Sequence, residues 1–480
     1  MNTGRDVKAG DMVDPGHEPA NHESPGPPLS RDRAARPAAV AGRGALGATA
    51  VACGVSVAGI YYAQPLLPTL AAAFGTGRPT AAAVVTSGQI GYAAGLLLLV
   101  PLGDVRDRKR LATVLMLLAV PAAALAALAP TLPVLAAAVA VLGLTGSAAQ
   151  VLVALTAAGA SGAARGRAVG TVMGGLTAGI LLARVFAGSL AELAGWRAVY
   201  AGAAVLLAGA TLLVQVALPG TGHPARPRWL PTRPGRPPAR PPRAARGGLR
   251  GYRLLLSGTG WLLVRQPLLR RRCAHGFLAF AAFSAFWTPC AYLLAAPPFH
   301  YGEAAIGLFG LAGLAGVLFA QPVGAWCDRG HARVASFGFS ALMAASFGVL
   351  AVGRGQLVAL AAGAVLLDLG LRGVQTANQQ QIYALLPATA HSRVTTAYMT
   401  CYFAGGAIGS VLSADLYSRA GWSGVCLLGA ALAGAPLVPR ILKIITARGA
   451  GTATVRPADA TEATEPAETG AAPVEPEEAS

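Results

Sequence analysis

Charge is scarce in this chain. Asp, Glu, Lys and Arg make up 12% of its 480 residues, about half the share of a soluble globular domain, which excludes a water-soluble enzyme of ordinary composition. Lysine is almost missing, with Lys8, Lys109 and Lys443 alone, and no G-x-x-x-x-G-K-[ST] occurs. A nucleotide-driven pump needs such a lysine to hold phosphates. The six cysteines (Cys53, Cys273, Cys290, Cys327, Cys401, Cys426) form no C-x-x-C pair and stand beside no histidine at ligand spacing. Disulfide and zinc frameworks are therefore disfavoured, and neither a metal nor a cofactor is expected. HExxH and GxSxG are lacking, and the histidines (His17, His22, His223, His275, His300, His331, His391) fall at the ends of apolar runs or in loops. That leaves no catalytic set for a membrane-embedded enzyme. The first 44 residues are polar and proline-rich, without a charged start leading into a short apolar core, which disfavours a cleaved signal peptide.

What is abundant is apolar chain: 54% hydrophobic residues and 61 glycines, clumped into runs bounded by charge, Gly or Pro. A spanning helix takes about 20 such residues. The runs lie at 47–72, 81–103, 111–129, 133–157, 168–191 and 197–218, then at 273–296, 304–326, 334–352, 356–386, 394–416 and 422–442. The expected fold is an all-α membrane protein with twelve transmembrane helices in two six-helix halves, 45–218 and 273–445.

The formal charge of +18 would suggest a nucleic-acid partner in a soluble protein, but its placement gives a topology instead. Arginine and lysine gather in the N-terminal tail (1–44), the 2/3, 4/5, 8/9 and 10/11 loops, and the C-terminal flank, whereas the opposite loops hold only Arg78, Arg197, Arg354 and Arg419. By the positive-inside rule both termini are cytoplasmic. The stretch 219–272 carries thirteen arginines, ten prolines and no carboxylate, which reads as an extended cytoplasmic linker touching anionic headgroups. Few stacking aromatics are interleaved with the arginines, Trp229 and Tyr252 among them, so nucleic acid is not an expected partner. The acidic segment 446–480 reads as a disordered tail.

The halves echo each other. Gly103, Asp107, Arg108 and Arg110 follow span 2, with Asp104 beside them, and Gly324, Asp328, Arg329 and Arg333 follow span 8 in a similar G-x-x-x-D-R arrangement. Spans 5 and 11 each end at a Gly-Trp pair (Gly195-Trp196, Gly421-Trp422). Two halves with matching loops characterise a repeat-built secondary transporter. On these residues, and on Tyr61-Tyr62-Ala63-Gln64-Pro65-Leu66-Leu67-Pro68, Gly170-Thr171-Val172-Met173, Leu181-Leu182-Ala183-Arg184 and Ala397-Tyr398-Met399-Thr400, the chain resembles the major facilitator superfamily, near its bacterial drug and sugar efflux permeases. The resemblance implies the two-half fold, a multi-pass protein of the bacterial plasma (inner) membrane, and a gating role for both loop motifs. It also implies export of a small organic solute by alternating access, with protons as the coupling ion in antiport. A monomer is expected. An uptake symporter and a non-transporting sensor or scaffold on the same fold are the alternatives.

Charges within the spans single out candidate site residues, because each costs several kcal/mol to bury. Asp368 and Arg372 share a face of span 10 with Gln375 and Gln379, and Asn378 lies beside it. This stripe reads either as an internal salt bridge with polar helix packing or as cavity lining. Asp368 is the only mid-span carboxylate, and therefore the proton-coupling candidate. Arg184 in span 5 has three readings: anchor for an anionic solute group, partner of an acid such as Asp368, or a side chain snorkelling to the interface. Tyr61 and Gln64 share a face of span 1 near Pro65 and Pro68. Gln89, Gln150 and Trp287 are further cavity candidates. Small residues in span 5 (Gly170, Gly174, Gly175, Gly179, Ala183, Ala187) predict one flat packing face.

Overall fold

The computed structural model describes residues 42–160, 163–218, 249–314, 326, 329, 331–384 and 391–438, and among them all regular structure is helical. Among the described residues nine helical stretches are long and apolar enough to cross a membrane, and Gly44–Ala58 and Glu303–Gly313 are shorter apolar helices. Large apolar side chains point outward, with Leu193 84% and Val216 78% exposed. Such a surface suits hydrocarbon, where only structures that satisfy their own backbone hydrogen bonds survive.

In the first half, α1 (Arg43–Ala58) and α2 (Leu67–Ala73) form a broken first span. Between them the backbone turns through i→i+3 bonds, with the N–H of Tyr61 donating to the Ala58 carbonyl at 2.9 Å and that of Leu66 to Ala63 at 3.2 Å. Pro65 and Pro68 have no N–H to give to a continuous α-helix, and Pro68 is tolerated because it sits in the first turn of α2. Next come α3 (Arg78–Leu98), a 3-10 turn (Pro101–Asp104), α4 (Arg108–Ala127), α5 (Leu132–Gly146), α6 (Ala148–Gly159), α7 (Ala163–Ala194) and α8 (Trp196–Ala217).

The second half holds α10 (Pro267–Ala295), α11 (Glu303–Phe309) with a 3-10 turn (Gly310–Gly313), α12 (Ala332–Val352), α13 (Leu357–Tyr383) and α14 (His391–Gly434). The 44 residues of α14 bend at Gly421, whose φ of 62° is open to glycine. Span 8 is thus a short helix giving way to a tighter turn; its continuation to 325 lies outside the described residues, as do Gly324, Asp328, the side chain of Arg333 and both tails. Arg329 is exposed.

Where an extended linker was expected, α9 (Leu249–Arg265) is a helix, and α10 starts at Pro267 rather than 273. The reason lies in proline placement. Nine of the ten prolines stand at 219–242, so residues 243–266 are free to form helix. The Tyr252 hydroxyl donates to the Leu98 carbonyl at the end of α3, at 2.6 Å. Farther along, a Cβ at Gly258 would stand 3.4 Å from the Arg393 guanidinium of α14.

Close helix pairs are built on glycine. A Cβ at Gly179 would lie 2.3 Å from the Cα of Gly54, so α1 and α7 touch backbone to backbone. The expected flat face of span 5 is only partly realised. Gly175, Gly179, Ala183 and Ala187 pack inward, while Gly170 and Gly174 are exposed with open space around them. Residues 170 and 174 are rotated off the 175–179–183–187 row by about one residue, or roughly 100° of helix. Replacement Gly179→Leu is expected to overpack the α1–α7 seam by about 1–3 kcal/mol. The detergent-solubilised protein should melt several degrees lower, with Gly174→Leu close to wild type in the same assay.

Candidate functional site

Where the broken span α1–α2, α7, α10, the α11 turn and α13 meet, the charges of the interior come together. Arg184 of α7 is 3% exposed. Its Nε donates to Gln64 Oε1 at 2.9 Å, and its guanidinium stands over the Trp287 ring at 4.1 Å and near the Tyr61 ring at 5.4 Å. A desolvated guanidinium over an aromatic face gains about 2 kcal/mol. The Nη2 atom is buried without a hydrogen-bond partner. Neither a snorkelling position nor an acid pair describes this side chain: it does not reach the surface, and among the described residues no salt bridge joins it to Asp368.

Asp368 of α13 is also 3% exposed, and its Oδ2 has no hydrogen-bond partner. Arg372 and Arg184 are its charged neighbours, and the Trp287 indole faces it without hydrogen-bond geometry. The expected internal salt bridge between Asp368 and Arg372 is not formed among the described residues, and Arg372 Nε is itself unpartnered. Tyr61 lies within the field of all three charges, and Tyr402 within that of Arg372 and Asp368. The net charge of the cluster is +1, two arginines against one aspartate.

Room for these side chains comes from glycines that sequence reasoning passed over. A Cβ at Gly310 would lie 2.7 Å from Arg184 Cδ, and one at Gly313 would lie 3.2 Å from Asp368 Oδ2. Gly307 is pressed against the Arg184 carbonyl. The signal was present as Gly307, Gly310 and Gly313 at i, i+3 spacing in span 8. A narrow cavity opens beside Arg184, walled by Gln64, Trp287, Cys290, Ile306 and Phe309.

The remaining candidates disperse. Gln89 donates to Ser284 at 3.3 Å across the two halves, and Gln150 to the Tyr92 hydroxyl at 3.5 Å. Gln375 Nε2 approaches the Met399 sulfur at 3.9 Å. Asn378 and Gln379 sit about 15 Å along α13 from Asp368 at 1.5 Å per residue. Gln379 is half-buried. Asn378 instead belongs to a second polar cluster, accepting from Arg272 at 3.4 Å and Ser336 at 3.3 Å and donating to Tyr398. His275, placed at a span end by sequence, is buried here inside α10, its Nε2 2.6 Å from Ser340 Oγ. The earlier start of α10 explains the difference.

In the 2/3 loop the two aspartates divide the work. Asp107 caps α4, accepting from the Arg110 N–H at 2.8 Å, while Asp104 pairs with Arg108 at 2.9 Å. Arg108 also donates to the carbonyls of Gly103 and, on α6, Ala154, each at 3.1 Å. At the other end of the bundle the halves are joined. Thr69 donates to Glu303, Glu192 accepts from the Ala304 N–H at 2.8 Å, and Tyr292 donates to the carbonyls of Leu67 and Arg78 at 3.3 Å.

Known proteins share this architecture. The profile of the Major Facilitator Superfamily matches residues 49–316 and 273–471. The putative uncharacterized transporter YgaY of Escherichia coli (strain K12) is 43% identical over 384 residues, 80% of this chain and 91% of that one. The probable transporter SCO4007 of Streptomyces coelicolor is 38% identical over 405 residues, 84% of this chain and 87% of its own. Among solved structures, the nucleoside transporter NupG superposes with a TM-score of 0.65 at 13% identity, covering 83% of this chain and 99% of that one. The human organic anion transporter MFSD10 (TETRAN) gives 0.58 at 19%, covering 83% and 99%. At these identities the two structures share the fold. The family profile and the relatives go further: this chain is a multi-pass membrane protein and belongs to the major facilitator superfamily.

Proposed function

We propose that the chain is a proton-coupled secondary transporter of the bacterial plasma membrane. It carries a small organic solute by alternating access, as a monomer with twelve crossings and both termini in the cytoplasm. The observation that carries this reading is Asp368, a carboxylate held in the bundle interior with an oxygen left unpartnered. The other described carboxylates (Asp104, Asp107, Glu192, Glu303, Asp415) lie at helix ends or on exposed faces. Lacking a bonded cation, Asp368 can be ionised near Arg372 and Arg184 or neutral with a proton, and a carboxylate so placed can carry protons as its access changes.

Alternating access needs an interface that opens and one that shuts. The contacts of Thr69, Glu192 and Tyr292 support a state shut on the Glu303 face. That face is the external one in the topology that the basic loops imply. The Asp104–Arg108 pair is then part of the device that releases at the opposite end. Its strength suits release, since a half-exposed i, i+4 pair is worth about 0.3–0.5 kcal/mol.

Two coupling modes are distinguishable. Export in exchange for protons follows from the resemblance to efflux permeases. Co-transport is favoured by a specific observation, the excess of arginine over aspartate at the site, because a proton on Asp368 strengthens rather than weakens the hold of the arginines on an anionic solute.

In proteoliposomes, Asp368→Asn should lose pH-gradient-driven solute flux while keeping solute–solute counterflow. Full gradient-driven activity in that variant would remove Asp368 from the mechanism. The sign of the gradient that drives accumulation separates exchange from co-transport. A second variant tests the shut face: a side chain at Gly188 would meet the Glu303 carbonyl at 2.1 Å, so Gly188→Leu should abolish counterflow in protein that still elutes as a single monodisperse species.

A further inference from the structure

Arg184 is the unbalanced charge of the interior. Its neighbours on every element packed against it are known: Gln64 and Tyr61 from the broken first span, Trp287 and Cys290 from α10, Gly307 and Gly310 from the α11 segment, and Asp368 and Arg372 from α13. Asp368 has Arg372 one turn away on the same helix, so that the charges of this i, i+4 couple offset each other and Arg184 supplies the residual +1. Gln64 satisfies one N–H but brings no charge, and the Trp287 and Tyr61 rings offer π faces at 4.1 and 5.4 Å rather than a countercharge. An isolated cation in so dry a place costs several kcal/mol. The glycines at 307 and 310 nevertheless keep the space around it clear, and its free edge atom, Nη2, remains unpartnered.

We infer, building on the transport reading above, that the solute is an organic anion, a carboxylate or similar acid on an apolar or aromatic body, whose acidic group is bound by the free edge of Arg184. With Asp368 ionised, one negative charge brings the whole cluster to neutrality, which lowers the cost of holding it in the membrane interior. The acid would accept from Nη2, a charge-assisted bond of the strong kind. Its body would lie against Trp287, Ile306 and Phe309, the apolar walls of the cavity beside Arg184. A solute with the opposite charge would meet Arg184 at the cavity wall, where Asp368 is not among the lining residues.

The test uses purified full-length protein and two skeletons, each with three head groups: benzoate, benzamide and benzylamine, and the naphthalene counterparts of each. The acids are expected to raise the melting temperature in a saturable way and the amides and amines to leave it unchanged. Arg184→Gln should weaken acid binding about tenfold or more, the loss expected when a charged hydrogen-bond partner is removed. Failure of both acids to bind, equal binding of an amide or amine, or undiminished acid binding in Arg184→Gln would each overturn the inference, and the ligand series on the unaltered protein decides the matter should that variant not fold. Counterflow in proteoliposomes separates the two levels: acids that bind but never cross would refute transport and leave the anion site standing. Crossing by amines alone would do the reverse.

Discussion

A guanidinium placed in a low-dielectric slab must be met by groups that lower its energy without water, and much of this protein's interior is organised around that requirement at Arg184. The first span breaks so that Tyr61 and Gln64 can turn toward it. Trp287 presents a ring face from α10, and the α11 segment gives up side chains at Gly307 and Gly310. Each of these concessions has a cost of its own. An interrupted helix leaves carbonyls to be satisfied by i→i+3 turns, and glycine in a helix lowers its stability by about 1 kcal/mol relative to alanine. Their convergence on one side chain is what the proposed anion site rests on.

The same constraint explains how the halves meet. Backbone contact at Gly188 and Gly307 brings α7 and α11 together next to the charged cluster, so the rim at Thr69, Glu192 and Glu303 closes directly above the site. Deeper in, Gln89 reaches Ser284 and Tyr92 packs edge-on against Phe403 at 4.5 Å. The halves thus meet through glycine backbone, polar and aromatic contacts. Within a half, Gly54 against Gly179 makes a seam with no space for relaxation, which suits a body that moves as a unit.

Much of this was legible in the sequence. Apolar runs, basic loops and the repeated G-x-x-x-D-R turns sufficed for the membrane class and the family. The cost of burying charge singled out Arg184 and Asp368 before any contact was known. What pattern alone missed was tertiary. The polar stripe of α13 looked continuous because periodicity records a face and not a depth. Asp368 and Arg372 line the central cluster, whereas Asn378 joins Arg272, Ser336 and His275 nearer the helix end. The glycines of span 8 were unremarkable in a chain with 61 of them; only the neighbouring Arg184 gives their spacing meaning. Average proline density over 219–272 likewise concealed a helix-forming stretch within it.

That stretch, α9, has an unusual position. One end is tied to the last turn of α3 through Tyr252 and a later point rests beside Arg393 at the start of α14, so a single strut of about 25 Å, 17 residues at 1.5 Å each, bridges the two bodies from outside the bundle. Neither anchor is an ion pair: one is a hydroxyl-to-carbonyl hydrogen bond, the other a close approach of backbone to a guanidinium. On the transport reading proposed above, a helix outside the bundle would have to give at one of these anchors before the two bodies could tilt apart, so the ease of that motion would be set partly by a segment that lines no cavity.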